Sequence, residues 1–146
     1  MYKFLEQTTA ESMTLNAKTV SRGLTLRELG DLFEQDDFNA YPVQEDSQIV
    51  GLVSKFDFLA CFAFTTARMT PRYDVLMKQT VADIMTLDFI YVGGETRLTR
   101  VLQLMVDHRI RSIPVIEGDQ RLVGMISRED IMRTLRRCAG EKDEFC

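Results

Sequence analysis

"GMISREDI" (124–131) reads as the end of a strand passing into the start of a helix, and "GLVSKFDF" (51–58) carries the same Gly, Ser and Asp at the same internal spacing. A turn made twice invites a search for a repeat. Sliding the chain by 72 residues lays "TTAESMTL" (8–15) on "TVADIMTL" (80–87), matching Thr8/Thr80, Ala10/Ala82, Met13/Met85, Thr14/Thr86 and Leu15/Leu87. The same shift pairs Val20 with Val92, Leu26 with Leu98, Leu32 with Leu104, and the "PV" at 42–43 with that at 114–115. One extra residue near "EGDQR" raises the offset to 73, after which Val50/Val123, Gly51/Gly124, Ser54/Ser127 and Asp57/Asp130 match. The chain is a tandem duplication.

Each copy gives the same order of elements. A short helical turn ("AESM", "ADIM") leads to a brief strand near 17–20 or 89–92, then to an amphipathic helix over about 25–36 or 97–108. Leu98, Val101, Leu102, Met105 and Val106 recur at helical spacing, and "TLRE" has Thr25 and Glu28 placed for a capping box. Two strands separated by polar turn residues follow, "AYPV" with "QIVGLV" and "SIPV" with "RLVGMI", as in a hairpin. A last helix runs over about 54–64 or 127–138. The spacing divides the chain into a first repeat with its N-terminal segment (1–64), a linker (65–79) in which Pro71 interrupts helical character, a second repeat (80–140) and a tail (141–146).

This α+β pattern of β-α-β-β-α units, duplicated, with Gly-h-h-Ser-x-x-Asp (h apolar) at the last strand-to-helix junction and Pro-Val upstream, resembles the CBS domain family. Two copies in tandem look like a Bateman module. The resemblance implies two repeats packed with pseudo-two-fold symmetry, clefts between them, and pairing of modules into homodimers. It also implies a regulatory role: binding of an adenosine-containing ligand (AMP, ADP, ATP or S-adenosylmethionine) and signalling to an effector protein. No cofactor is required in that reading.

The residues of the turn admit two roles. Ser at the N-cap with an acid at N3 is close to a capping box. The same hydroxyl and carboxylate, beside outward-pointing helix amides, suit the cis-diol of a ribose. By resemblance, Ser54 and Asp57 serve one cleft, and Ser127 and Asp130 the other. The copies differ where a phosphate would sit: "DHRIRSIP" offers Arg109 and Arg111 before Pro114, whereas "QDDFNAYP" offers Asp36, Asp37 and Asn39. The family pattern would set Arg111 toward the ligand of Ser54 and Asp57, which makes that cleft the better phosphate site. Lys55 and Arg128 follow the two motif serines and are further candidates, Arg128 as a rescue of the second cleft. Tyr41 and Ile113, just before the prolines, are candidates to flank an adenine, although residues so placed are more often members of the core.

Composition excludes several classes. Among 146 residues, 45% are hydrophobic and 27% charged, enough for an ordinary core. A net charge of -4 argues against general nucleic-acid binding. No apolar run approaches membrane-spanning length, and "MYKFLEQTTAESM" lacks a signal-peptide core. Three cysteines without CxxC suit a reducing cytoplasm, with Cys61 expected as a buried, inert thiol. The one histidine, His108, stands in no catalytic constellation, and neither a P-loop, a dinucleotide-binding glycine pattern nor HExxH is present; "VGGE" (92–95) lacks the further glycines. The sequence therefore points away from an enzyme and from a zinc site. It leaves a stand-alone ligand-binding regulatory module, or else a purely structural dimerisation module whose turns are only caps. The phenylalanine-rich run "FDFLACFAF" (56–64) is too apolar around its circumference for a surface helix and is expected to face both the core and a second subunit.

Overall fold

The computed structural model describes residues 2–15, 17–63 and 73–140. Pro71, most of the linker, Phe64 and the tail with Cys146 lie outside them. The chain forms two compact units, residues 18–89 and residues 1–17 together with 90–146. These units cut across the sequence repeats, because each repeat's leading segment belongs to the unit built by the other repeat.

In the 18–89 unit, helix α3 (Leu26–Gln35) turns Leu26, Leu29 and Phe33 inward, one stripe at helical spacing. Its start is the capping box read from "TLRE": Thr25 Oγ1 accepts from Glu28 N at 3.2 Å, and Glu28 Oε1 accepts from Thr25 N at 3.1 Å. The stripe packs on the antiparallel hairpin of β1 (Ala40–Glu45) and β2 (Gln48–Ser54), through Tyr41, Val43 and Val53. The other unit repeats this design. Its α7 (Leu98–His108) buries Leu98, Val101 and Met105 against Ile113 and Val115 of β3 (Ser112–Glu117) and Ile126 of β4 (Arg121–Ser127). Helix α8 (Arg128–Gly140) adds Ile131 and Cys138 to that core.

Both hairpins break register at equivalent places, between Val43 and Gln44 and between Val115 and Ile116. The extra residue of the second copy falls in the hairpin loop. Asp46 and Ser47, both with positive φ, form a two-residue loop of the I′ kind, whereas Gly118, Asp119 and Gln120 make a three-residue loop. An insertion there lengthens the turn and leaves every paired residue on its own face.

The leading segments carry short helices: α1 (Tyr2–Glu6) and α2 (Thr9–Ser12) before the first repeat, α5 (Tyr73–Met77) and α6 (Val81–Ile84) before the second. Each leader stitches itself to the other repeat by matching backbone bonds. Gln7 O accepts from Leu98 N at 3.0 Å, and Gln79 O accepts from Leu26 N at 2.8 Å, so each satisfies an orphan amide at a helix start. Thr14 then bridges to Met125 of β4, and Thr86 to Leu52 of β2, as one-residue additions to the sheet edge. The brief strands expected at 17–20 and 89–92 reduce to single parallel bridges, Val20 to Val43 and Val92 to Val115.

Helix α4 (Lys55–Ala60) is shorter than the 54–64 helix expected from sequence. Beyond Ala60 the bonds tighten to i→i+3: Phe62 N donates to Leu59 O and Ala63 N to Ala60 O. Phe58 packs against the core, while Phe56 is 79% exposed. Cys61, expected buried, is half-buried; Cys138 is the buried thiol. No helix among the described residues is long and apolar enough to cross a membrane.

Candidate functional site

The Gly-h-h-Ser-x-x-Asp stretch is a strand edge, a close backbone crossing and a helix cap in succession. A Cβ on Gly124 would stand 2.8 Å from both Met13 Sδ and Thr14 O, and one on Gly51 would stand 2.9 Å from Met85 Sδ and 3.2 Å from Thr86 O. Glycine at these positions lets the Met-Thr segment of the leader lie against the strand. That approach sets the Thr hydroxyl beside the motif carboxylate three residues past the serine.

At the first turn, Ser54 Oγ accepts from Asp57 N at 3.0 Å, and Asp57 Oδ2 accepts from Ser54 N at 2.9 Å. Thr86 Oγ1 lies at a long 3.4 Å from the same Oδ2. Asp57 Oδ1 accepts no hydrogen bond from any described residue. The turn is a capping box, and both Ser54 and Asp57 are half-buried.

At the second turn, Ser127 N and Ser127 Oγ both donate to Asp130 Oδ2, at 2.9 and 3.0 Å, and Asp130 N donates to Ser127 Oγ at 3.2 Å. Thr14 Oγ1 lies 3.4 Å from Asp130 Oδ1. Here the other oxygen is also taken, because Arg133 Nη1 donates to Oδ1 at 2.9 Å. The Asp130 side chain is 3% exposed beneath an Arg133 that is 68% exposed. The residue that corresponds to Arg133 after Asp57 is Ala60.

The structure gathers Asn39, Ser54, Lys55, Asp57 and Thr86 in one unit, and Thr14, Arg111, Ser127, Arg128 and Asp130 in the other. Asn39 O accepts from Lys55 N, and Arg111 O from Arg128 N, each at 2.9 Å, so the residues before each proline brace the helix start of their own repeat. The Arg109 and Arg111 side chains are exposed and form no ion pair with a described residue. Arg128 pairs with its neighbour Glu129 at 3.0 Å, both side chains being exposed.

Tyr41 and Ile113 are fully buried members of the two cores, one of the two roles their positions before the prolines admit. The Tyr41 hydroxyl donates to Leu32 O at 3.0 Å and to Asp36 Oδ2 at 2.8 Å. Burial, reinforced by Asp36, pushes the phenol far above its usual range. Asp36 also accepts from Lys18 Nζ at 2.9 Å, and that bond, more than the one from Tyr41, holds its carboxyl below the usual value. No cluster of three or more His, Cys, Asp or Glu suited to a metal ion occurs among the described residues.

Sequence reading missed the hydroxyls of Thr14 and Thr86 and the cover given by Arg133. The signals were present: Met-Thr recurs at 13–14 and 85–86, and Arg133 lies one helical turn after Asp130.

Such a fold defines a class of protein, a duplicated α+β module whose two matched turns each set a serine and an aspartate in a helix cap. The CBS domain family model matches residues 10–63 and 81–137, and the chain belongs to that family. It is similar to inosine-5'-monophosphate dehydrogenase of Pasteurella multocida, with 32% identity over 130 residues that make up 87% of this chain and 24% of that enzyme. The chain spans between 24% and 55% of the length of the first curated relatives it matches. Two solved structures share the fold. CBSX2 of Arabidopsis thaliana in complex with AMP superposes with a TM-score of 0.76 at 24% identity, over 89% of this chain and 96% of that one. The CBS domain pair of protein MJ0100 in complex with 5-methylthioadenosine and S-adenosyl-L-methionine gives 0.74 at 20% identity, over 93% and 98%.

Proposed function

We propose that this chain is a regulatory module that binds an adenosine-containing ligand, with the ribose held at Ser54 and Asp57, and signals to a partner protein. One observation carries the assignment of the site. Asp57 has its Oδ2 fixed by Ser54 N and its Oδ1 without a described donor, so a vicinal diol finds an oriented acceptor with no bond to displace. The complexes of CBSX2 with AMP and of MJ0100 with S-adenosyl-L-methionine support the ligand class. Arg111, which the family resemblance assigns to the phosphate, is exposed and unpaired among the described residues, as is Arg109. Neither catalysis nor a required cofactor enters this reading. Homodimerisation in the cytoplasm is part of it, with the exposed Phe56 and Leu59 of α4 available to a second copy.

A second reading has a specific observation in its favour: both turns are complete capping boxes, so the module serves dimerisation alone. Ligand-dependent thermal unfolding separates the two. A ligand that binds only the native state at 100 times its Kd adds about 2.7 kcal/mol of apparent stability. AMP, ADP, ATP and S-adenosylmethionine are titrated in turn, and at least one raises Tm. Asp57→Asn keeps an oxygen for the cap, removes the diol acceptor, and abolishes the shift. No shift with any of the four ligands at millimolar concentration leaves the dimerisation reading standing.

A further inference from the structure

The two turns differ at one position that bears directly on ligand binding. Three residues after Asp130 stands Arg133, whose Nη1 donates to Asp130 Oδ1 at 2.9 Å; three residues after Asp57 stands Ala60. Asp130 Oδ2 is meanwhile occupied by both the amide and the hydroxyl of Ser127, and the Thr14 hydroxyl adds a long contact. Each oxygen of the second carboxylate therefore has a near donor, and the hydroxyl that would assist a ribose is turned into that same carboxylate.

We infer that Arg133 is a built-in latch that disables the Asp130 turn as a diol site and makes the chain a one-site binder. The inference rests on the ligand reading proposed above and goes beyond it in assigning stoichiometry and the residue that sets it. A diol entering at Asp130 must break the Arg133 bond or share an oxygen already held by a cation, and both lower its affinity relative to the Asp57 turn. Arg133 is exposed over most of its surface, so releasing it leaves a solvated guanidinium and no hole in the core. The latch is thus local and removable. Its opposite can be built by transplanting arginine to Ala60, which is also exposed and lies at the same i+3 position from Asp57.

The test is isothermal titration of the full chain with AMP and, separately, with S-adenosylmethionine. The wild type binds one equivalent. Asp57→Asn binds none, and the double variant Asp57→Asn/Arg133→Gln regains one equivalent through Asp130. Ala60→Arg sets the same cation beside Asp57 and abolishes the binding there, as Arg133 does at Asp130. Thermal unfolding of the ligand-free variants controls for folding, and Arg133→Lys, which keeps a cation within reach of Asp130, leaves the second turn closed. A wild type that binds one equivalent, with no regained site in the double variant and no loss in Ala60→Arg, overturns the latch and leaves the ligand reading intact. Two equivalents in the wild type also overturn it. No heat with either ligand for any variant removes the ligand reading and the latch together.

Discussion

Gly51 and Gly124 mark the two motif turns in the sequence, but their purpose emerges only from what faces them. Neither has a positive φ; what each supplies is the absence of a Cβ where a neighbouring backbone crosses. The two positions should not respond equally to alanine. At Gly124 the added carbon meets the backbone oxygen of Thr14 at 2.8 Å, and that segment is pinned by paired bonds to Met125, so something rigid must shift. At Gly51 the closest atom is the sulfur of the flexible Met85 side chain, with the backbone oxygen further off at 3.2 Å. Gly124→Ala is expected to cost about 2–3 kcal/mol, the upper end for overpacking, and Gly51→Ala about 1 kcal/mol. Urea unfolding of the two variants measures the difference, and equal losses would contradict the assignment. The serines and aspartates of these turns were legible because their types and spacing repeat. The partner of each Asp was not, because Thr14 and Thr86 lie far from Asp130 and Asp57 along the chain.

Among the elements, the long amphipathic helices were read nearly to the residue, because Leu26, Leu29 and Phe33 in α3 and Leu98, Val101 and Met105 in α7 lie at helical spacing. Their ends were less legible, and they differ between copies. Helix α3 leaves through an extended Asp36, whereas α7 ends on Arg109 in the left-handed region at φ 55°. Arg109 N and Ile110 N both donate to Met105 O, and Ile110 packs against the core that contains Met105, as in a Schellman ending. A non-glycine residue at that position carries a conformational cost of about 1 kcal/mol. Arg109→Gly is therefore expected to raise stability by about 0.5–1 kcal/mol, read as an increase in Tm of the ligand-free protein. A lower Tm would show that the Arg109 side chain contributes more than its backbone costs. Helix α4 escaped sequence reading at its far end for a related reason. The apolar run continues past Ala60, but periodicity does not distinguish an α-turn from the tighter i→i+3 turns that follow.

For the whole molecule, the duplication was legible and the exchange of leading segments was not. Residues 8–15 and 80–87 resemble one another, and resemblance cannot say which sheet each joins. Both units carry capping boxes whose acids titrate with folding. Glu28 is held below its usual value of 4.5, first by the Thr25 amide and then by its hydroxyl; Glu11 is held down in the same way by Thr8. Asp36 lies below 3.8, chiefly through its bond to Lys18. All three shifts have one sign. A carboxyl whose folded value is depressed contributes stability that is complete above the unfolded value and is lost as pH falls through the folded one. The protein should therefore lose stability as pH drops from about 5 toward 3, with contributions from both units. Glu28→Gln isolates one contribution: the amide keeps an acceptor for Thr25 N and removes both the charge and its titration. Its Tm is expected to lie below that of the wild type at neutral pH, where the ionised acid also favours the helix start, and to converge with it in acid, where Glu28 is protonated. The measurement is Tm against pH for the two proteins. A gap that persists unchanged to pH about 3 would mean that Glu28 acts through packing and not through its charge.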